Sequence, residues 1–250
     1  MKQTEVGGRR NVPLPLVFVF WNNKFETLNI ELELLHMFMI LYIYRPSGRF
    51  VTRGINLTTK ERVKNCALSL FASSGYEATT MNQIADIVGI KKPSLYAHYG
   101  GKEEIFFSIF EDLIVKYKGF IEQVIDSTSG MTVEKKLLYI FENYINFFIQ
   151  NPEVSTFWNR VLFFPPIEFR ERIFASIFEM EIVLQGKLAS IFIEGIKEGV
   201  IREEKVEDMI LSFLCIREGL LLSYQITPEM DPKKIKIIWN NYWQGVKARK

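Results

Sequence analysis

The sequence predicts an all-α protein, and three observations carry that prediction. After residue 58, glycine and proline are sparse and fall between long stretches that lack them. Within those stretches apolar residues recur three and four positions apart, the spacing that lines one face of a helix. Hydrophobic residues make up 48% of the 250 residues and charged residues 24%, which supplies a sizeable core and argues against general disorder. The two cysteines, Cys66 and Cys215, lie far apart. They do not form a disulfide scaffold and fit a reducing compartment, so a cytoplasmic location is expected.

Residues 1–54 read differently from the rest. An apolar, proline-interrupted stretch, VPLPLVFVFW, is followed by LLHMFMILYIY at 34–44, an apolar run of 11 residues. A bilayer-spanning helix needs about 20, and Glu31 and Glu33 stand in the way of extending this run. Three readings remain open: an interfacial segment anchoring a membrane-associated helical protein, an extra helix packed on the body, or an extension created by an upstream start. We favour the last, since Val51 precedes the first well-organised helix, and expect a chain starting there to keep full function.

The first helix begins at Thr58 or Thr59, with Glu61 at capping-box distance from Thr58. Val63, Cys66, Ala67, Leu70 and Phe71 form its apolar face, and Gly75 ends it. A short second helix is capped by Thr80, buries Met81, Ile84, Ala85 and Val88, and stops at Gly89. After a turn at Ile90, a third helix runs from about Pro93, where a first turn accepts proline, to Tyr99. Gly100 and Gly101 break it, and a fourth helix runs from Lys102 to Asp126. Two short helices joined by a glycine turn after a supporting helix make a helix-turn-helix. The second of the pair presents its N-terminal residues to base edges in the major groove, here Lys91, Lys92, Pro93 and Ser94. Charge agrees with this placement: residues 55–102 carry six Lys or Arg against three Asp or Glu, whereas residues 103–250 are net acidic. A polyanion would therefore meet the front of the molecule.

The spacing of Thr80, Ile84-Ala85, Gly89-Ile90, Ser94-Leu95-Tyr96, His98-Tyr99 and Lys102-Glu103 resembles the DNA-binding domain of the TetR family of transcriptional regulators. The resemblance covers residues 58–106. It departs at Tyr99, where phenylalanine is usual, and at Gly101, where a serine cap is common. It implies that Tyr96 and His98 reach the DNA backbone and that Lys102 holds a phosphate. The residues themselves leave alternatives open. Thr80 caps its helix and can also present its helix start to a phosphate. Lys91 and Lys92 suit phosphates or guanine, or a solvated turn. His98 is structural or DNA-facing. One such domain offers few base contacts, each good bidentate pair giving about 1–3 kcal/mol of discrimination. Two domains about 34–36 Å apart read a palindrome, so a double-stranded operator demands a dimer.

The acidic remainder divides into helices over 102–126, 132–150, 152–163, 167–198, 203–227 and 231–249, which with the first three makes nine. The expected domains are an atypical extension (1–54), a helix-turn-helix domain (55–102) and a helical effector-binding and dimerisation domain (103–250). The resemblance places a homodimer interface on 203–227 and 231–249. Aromatic residues crowd the middle helices, and a small hydrophobic effector would meet Phe141, Tyr144, Phe148, Trp158 and Phe178. Asn159 and Arg217 are its candidate polar handles, with Asn143, Arg160 and Gln185 as further choices. Enzyme readings are weak. The two histidines and two cysteines give no zinc spacing, no phosphate-binding glycine motif occurs, and neither metal nor cofactor is expected.

Overall fold

A computed structural model describes residues 57–227, 231 and 233–249. The readings of the N-terminal extension, including the anchor at 34–44, lie outside the described residues. Nine α-helices are present among those described: α1 (Thr59–Ser74), α2 (Met81–Val88), α3 (Lys92–His98), α4 (Lys102–Asp126), α5 (Val133–Gln150), α6 (Pro152–Phe163), α7 (Arg170–Lys197), α8 (Val206–Ile226) and α9 (Lys233–Val246). The described residues hold no strand, only an isolated antiparallel bridge between Ile201 and Lys247.

The helix-turn-helix is built from local signals. Thr58 and Glu61 close a capping box, with Glu61 N–H on Thr58 Oγ1 at 3.3 Å and Thr58 N–H on Glu61 Oε2 at 2.7 Å. Thr80 and Gln83 repeat the device at α2, at 3.2 and 2.8 Å. Each box satisfies orphan N–H groups at a helix start. Gly89 ends α2 in the left-handed region (φ 74°), donating to Ala85 O at 2.9 Å, where a side chain would be strained. At α4, Gly101 supplies no side-chain cap. Glu104 compensates one residue earlier by accepting the Gly100 N–H at 2.6 Å.

In the body, α4 packs on α5 and α7, α5 on α6, α7, α8 and α9, and α8 on α7 and α9. α1 lies against α2, α4 and α6. One apolar cluster runs from Val63 to Val246, joined through Phe71, Phe106 and Phe157. The domain division expected at 102/103 falls at the first residue of α4, and the core continues across it without a break. α8 is long and apolar enough to cross a membrane by length and composition, yet it is packed between α5, α7 and α9 here.

Three helix ends differ from expectation for visible reasons. A 3-10 turn, Ile167–Phe169, follows Pro166 and delays α7 to Arg170. α8 starts at Val206 because the preceding chain pairs backward, Arg202 N–H donating to Val246 O at 3.1 Å. That pairing, with Ala248 N–H on Val200 O at 2.9 Å, also ends α9 at Val246. Gly195 allows it: a Cβ there would stand 2.6 Å from Ile201 Cδ1 and 2.8 Å from Val133 Cγ1.

Candidate functional site

α3 is seven residues long and faces outward. Leu95 and Tyr99 point inward and are fully buried, while Lys91, Lys92, Pro93, Ser94, Tyr96 and His98 are exposed. Leu95 and Tyr99 are four apart, one turn of helix, so a single buried edge orients the remaining residues to solvent. The Tyr99 hydroxyl reaches Lys60 O on α1 at 3.4 Å, and Lys60 Nζ stands 5.2 Å from the Tyr99 ring centroid. Tyrosine in place of the usual phenylalanine therefore gains a tether to α1. Lys92 Nζ lies 6.0 Å from the Tyr96 ring centroid, next to it on the exposed side. Thr80 is exposed, with its hydroxyl engaged in the capping box of α2.

Lys102 is placed differently from its neighbours. Its amine donates to Tyr76 O at 2.7 Å and sits 4.0 Å over the Tyr76 ring, partly buried. It fastens α4 to the loop after α1. Two further basic residues are also engaged within the protein. Arg62 donates to Val88 O at the end of α2, and Lys64 pairs with Asp112 of α4. Their charge still contributes to the positive field of this region. The amines of Lys91 and Lys92 are the basic groups on the α3 face itself.

In the body, four of the seven effector candidates come together. Tyr144, Phe148 and Trp158 surround the Tyr117 ring at centroid distances of 6.1, 5.8 and 6.3 Å. The Arg217 guanidinium lies 3.8 Å over the Tyr144 ring. The other three stand apart. Phe141 packs on Phe213 and Trp239, at 5.9 and 5.7 Å, in the α5–α8–α9 core. Phe178 is half-buried on α7. Asn159 donates to the Gln225 side chain, which in turn donates to Ser155 Oγ at 2.5 Å. Among the further handles, Arg160 faces away from the cluster and grips the end of α1, donating to Ala72 O at 2.6 Å and Ser73 O at 2.7 Å. Asn143 bonds its own helix at Tyr139 O.

Sequence reasoning missed Tyr117 and the carboxylates that complete the cluster. Arg217 donates twice to Glu218 Oε1, at 3.0 Å from Nε and 2.7 Å from Nη2, and the Tyr144 hydroxyl donates to the same oxygen at 2.6 Å. Glu181 of α7 has a 3.5 Å contact with Gln185 on its own helix. Burial pushes its carboxyl pKa up, with Arg217 pulling the other way. A signal for Glu181 was present: it lies four after Ile177 and three before Leu184, both buried on the apolar face of α7. Among the described residues no group of three His, Cys, Asp or Glu side chains is placed to hold a metal ion.

Residues 65–109, spanning α1 to the first turns of α4, match the profile of bacterial regulatory proteins of the tetR family. This region therefore resembles the DNA-binding domain of the tetR family. The relatives that the chain matches are negative transcriptional regulators. A relative from Staphylococcus epidermidis, the negative transcriptional regulator IcaR of the biofilm operon icaADBC, is 32% identical over 96 residues. That match covers 36% of this chain and 52% of the relative, so it spans about half the relative's length. IcaR from Staphylococcus aureus is 28% identical over 163 residues, covering 62% of this chain and 80% of that one. Two solved structures share the fold. The ketosteroid transcriptional regulator KstR2 of Mycobacterium tuberculosis aligns at TM-score 0.59 with 19% identity, over 80% of this chain and all of that one. The fatty acid degradation regulator FadR from Bacillus halodurans aligns at TM-score 0.60 with 14% identity, over 78% of this chain and all of that one.

Proposed function

We propose that this regulator is a cytoplasmic, non-enzymatic repressor. In this reading it binds a palindromic double-stranded operator as a homodimer and is released by a small hydrophobic effector. The observation that carries the reading is the outward face of α3, where six positions, five of them polar or basic, stand exposed over two buried anchors. Lys91, Lys92, Pro93 and Ser94 meet base edges and nearby phosphates, and Tyr96 and His98 lie along the backbone. Thr80 presents the start of α2 to a phosphate. Lys102 adds charge at close range while it fastens α4. Phosphate contacts of this kind set position and salt dependence, and the few base contacts specify sequence. Repression, rather than activation, is supported by the negative regulators among the relatives. The same relatives do not favour the membrane-anchored alternative.

The homodimer forms through α8 and α9. α8 carries apolar residues on the side away from its own core: Leu211 and Leu222 are half-buried and Ile226 is exposed, as is Ile237 on α9. Small residues, Ser212, Cys215 and Gly219, lie exposed between them and permit close helix approach. The effector enters the body among α4, α5, α7 and α8, and acts only through its differential affinity for the operator-fitting and non-fitting forms. Structural likeness to regulators named for ketosteroids and fatty acid degradation is compatible with an apolar ligand body. Selecting bound fragments from random DNA with the purified protein, at low and moderate salt, tests the reading. Recovery of a palindrome, lost with Tyr96→Ala, is the expected result. A protein that selects no palindrome at either salt is not this repressor.

A further inference from the structure

α7 is the longest helix among those described, and it packs on α4, α5 and α8 along one side. Its opposite side is apolar and uncovered among the described residues: Ile182 is 54% exposed, Val183 40% and Ile193 42%. The charged residues between Glu179 and Lys197 are kept off that side. Glu194 pairs with Lys136 of α5 at 2.6 Å, and Lys187 reaches Glu122 and Asp126 of α4 at 4.0 and 3.7 Å. Glu181 is half-buried. The outer face that remains is Ile182, Gly186, Ala189 and Ile193, bounded by Glu179 at one end and Lys197 at the other. All six follow one another at three or four positions, so they lie along one side of the helix. Glu179 and Lys197 are exposed and make no ion pair with a described residue. Gly186 is an independent sign. Glycine weakens a helix interior, yet a Cβ there would meet nothing within 4 Å, so no described neighbour requires it.

We propose that this face of α7 docks on the same face of a second copy, the two helices running antiparallel about a two-fold axis level with Leu188. In that register Glu179 of each copy meets Lys197 of the other, one opposite-charge pair at each end. Ile182 and Val183 lie against Ile193 of the second copy. Gly186, Ala189 and Ser190 occupy the crossing, where small residues let the backbones approach, and the Ser190 hydroxyl is already bonded to Gly186 O at 3.1 Å. A parallel pairing would set Glu179 against Glu179 and Lys197 against Lys197, so charge selects the antiparallel one. Such a contact is isologous, each copy offering the same patch. It lies on a different helix from the α8–α9 homodimer proposed above and goes beyond it, since the two interfaces together join dimer to dimer. Size sets its strength. From Glu179 to Lys197 the helix runs about 27 Å, and a contact strip about 10 Å wide on each copy buries roughly 500 Å² in all. Stable interfaces bury about 1,200–2,000 Å². The contact is therefore weak alone and acts between dimers already held close together, as on neighbouring DNA sites.

Sedimentation equilibrium of the full chain without DNA, at low salt and up to about 1 mM because small interfaces bind weakly, tests this. A species of twice the dimer mass is expected at the upper concentrations. Ile182→Asp places a charge in the centre of the exposed face and should weaken that association at least about tenfold. Glu179→Lys alone, or Lys197→Glu alone, sets like charges together at both ends and should weaken it too. The two reversals combined should restore it, a result that a general loss of folding could not give. A mass distribution that Ile182→Asp leaves unchanged, or a doubly reversed chain as weak as the singly reversed ones, overturns the inference. Leu222→Asp on α8 separates this interface from the homodimer. It should halve the largest species and leave a dimer held by α7, which Ile182→Asp, added to it, converts to monomer. A wild type that stops at a dimer, split by Ile182→Asp and untouched by Leu222→Asp, would sink the α8–α9 homodimer and leave this interface standing.

Discussion

The outer face of α3 and the centre of the body use polar residues in opposite ways. On α3 the polar groups are exposed and the apolar ones, Leu95 and Tyr99, are buried, so each residue keeps its ordinary hydration until a partner arrives. In the body, Arg217, Tyr117 and Tyr144 are buried against aromatic rings, and the half-buried Glu218 meets Arg217 and Tyr144 from the edge. The first arrangement costs little to maintain and offers a rigid surface. The second holds charge in poorly solvated surroundings, where a change of partner carries a large energetic consequence. A surface that reads DNA benefits from the former, and a site that must respond to a ligand benefits from the latter.

The strongest way to break this contrast is to remove the anchor beneath α3. Leu95 is fully buried under a helix of seven residues, and Leu95→Ala should cost about 2–5 kcal/mol through lost contacts and the cavity left behind. DNA binding should disappear while the far end of the body, around Trp239 and Phe213, keeps its amide protection in hydrogen exchange. Protection lost uniformly through α8 and α9 would mean that the two regions unfold as one.

Arg160 is where the regions meet, and it gives the next largest effect. Its guanidinium takes the last carbonyls of α1, Ala72 O and Ser73 O, from a helix whose Trp158 packs against Tyr117. Its Nη1 lies 3.3 Å from where a Cβ on Gly75 would be, so the loop after α1 is shaped around it. Hydrogen bonds from a charged donor contribute about 1.5–3 kcal/mol each. Arg160→Ala should lower the melting temperature and, because α6 touches both α1 and α5, weaken the effect of any effector on DNA affinity. Destabilisation with the effector response intact would assign Arg160 to stability alone.

Much of the helix-turn-helix was legible in the sequence because its signals are local. Thr58 with Glu61, Thr80 with Gln83, and Gly89 each act within four residues, and the structure contains all three devices. The body cluster was only half legible for the opposite reason. Tyr144, Phe148, Trp158 and Arg217 stood out by type, but nothing local says that Tyr117 and Glu181 meet residues up to a hundred positions away. Glu181 lies between buried Ile177 and Leu184 on α7, but the residue type alone did not single it out. Lys102 shows the converse limit. Its position in the motif was legible, whereas its bond to Tyr76 O depends on a loop 26 residues earlier.

A smaller effect tests the exposed half alone. Lys91→Ala and Lys92→Ala remove exposed charges that make no ion pair with any described residue. Neither should move the unfolding midpoint measurably. Each should weaken DNA binding and reduce the slope of log affinity against log salt by about 1 if the amine meets a phosphate. A change in sequence preference with the slope unaltered would instead place that lysine on a base.

The smallest effect belongs to the buried half and depends on pH. Burial raises the pKa of Glu181 in the folded protein above its unfolded value. For a carboxyl shifted in that direction, the protonated form favours the fold. Its contribution is fully present below the unfolded pKa and is lost as pH rises through the folded one. Glu181→Gln cannot ionise, so it should match the wild type in acid and become the more stable of the two as pH rises from about 4.5 upward. Melting temperatures of both proteins across pH 4–8 measure the gap. A gap that stays flat would mean that Glu181 is solvated enough to ionise freely, and the contrast between an exposed reading face and a buried responsive centre would lose its sharpest residue. A gap that opens with pH would show that ionising Glu181 beside the cluster costs the fold stability.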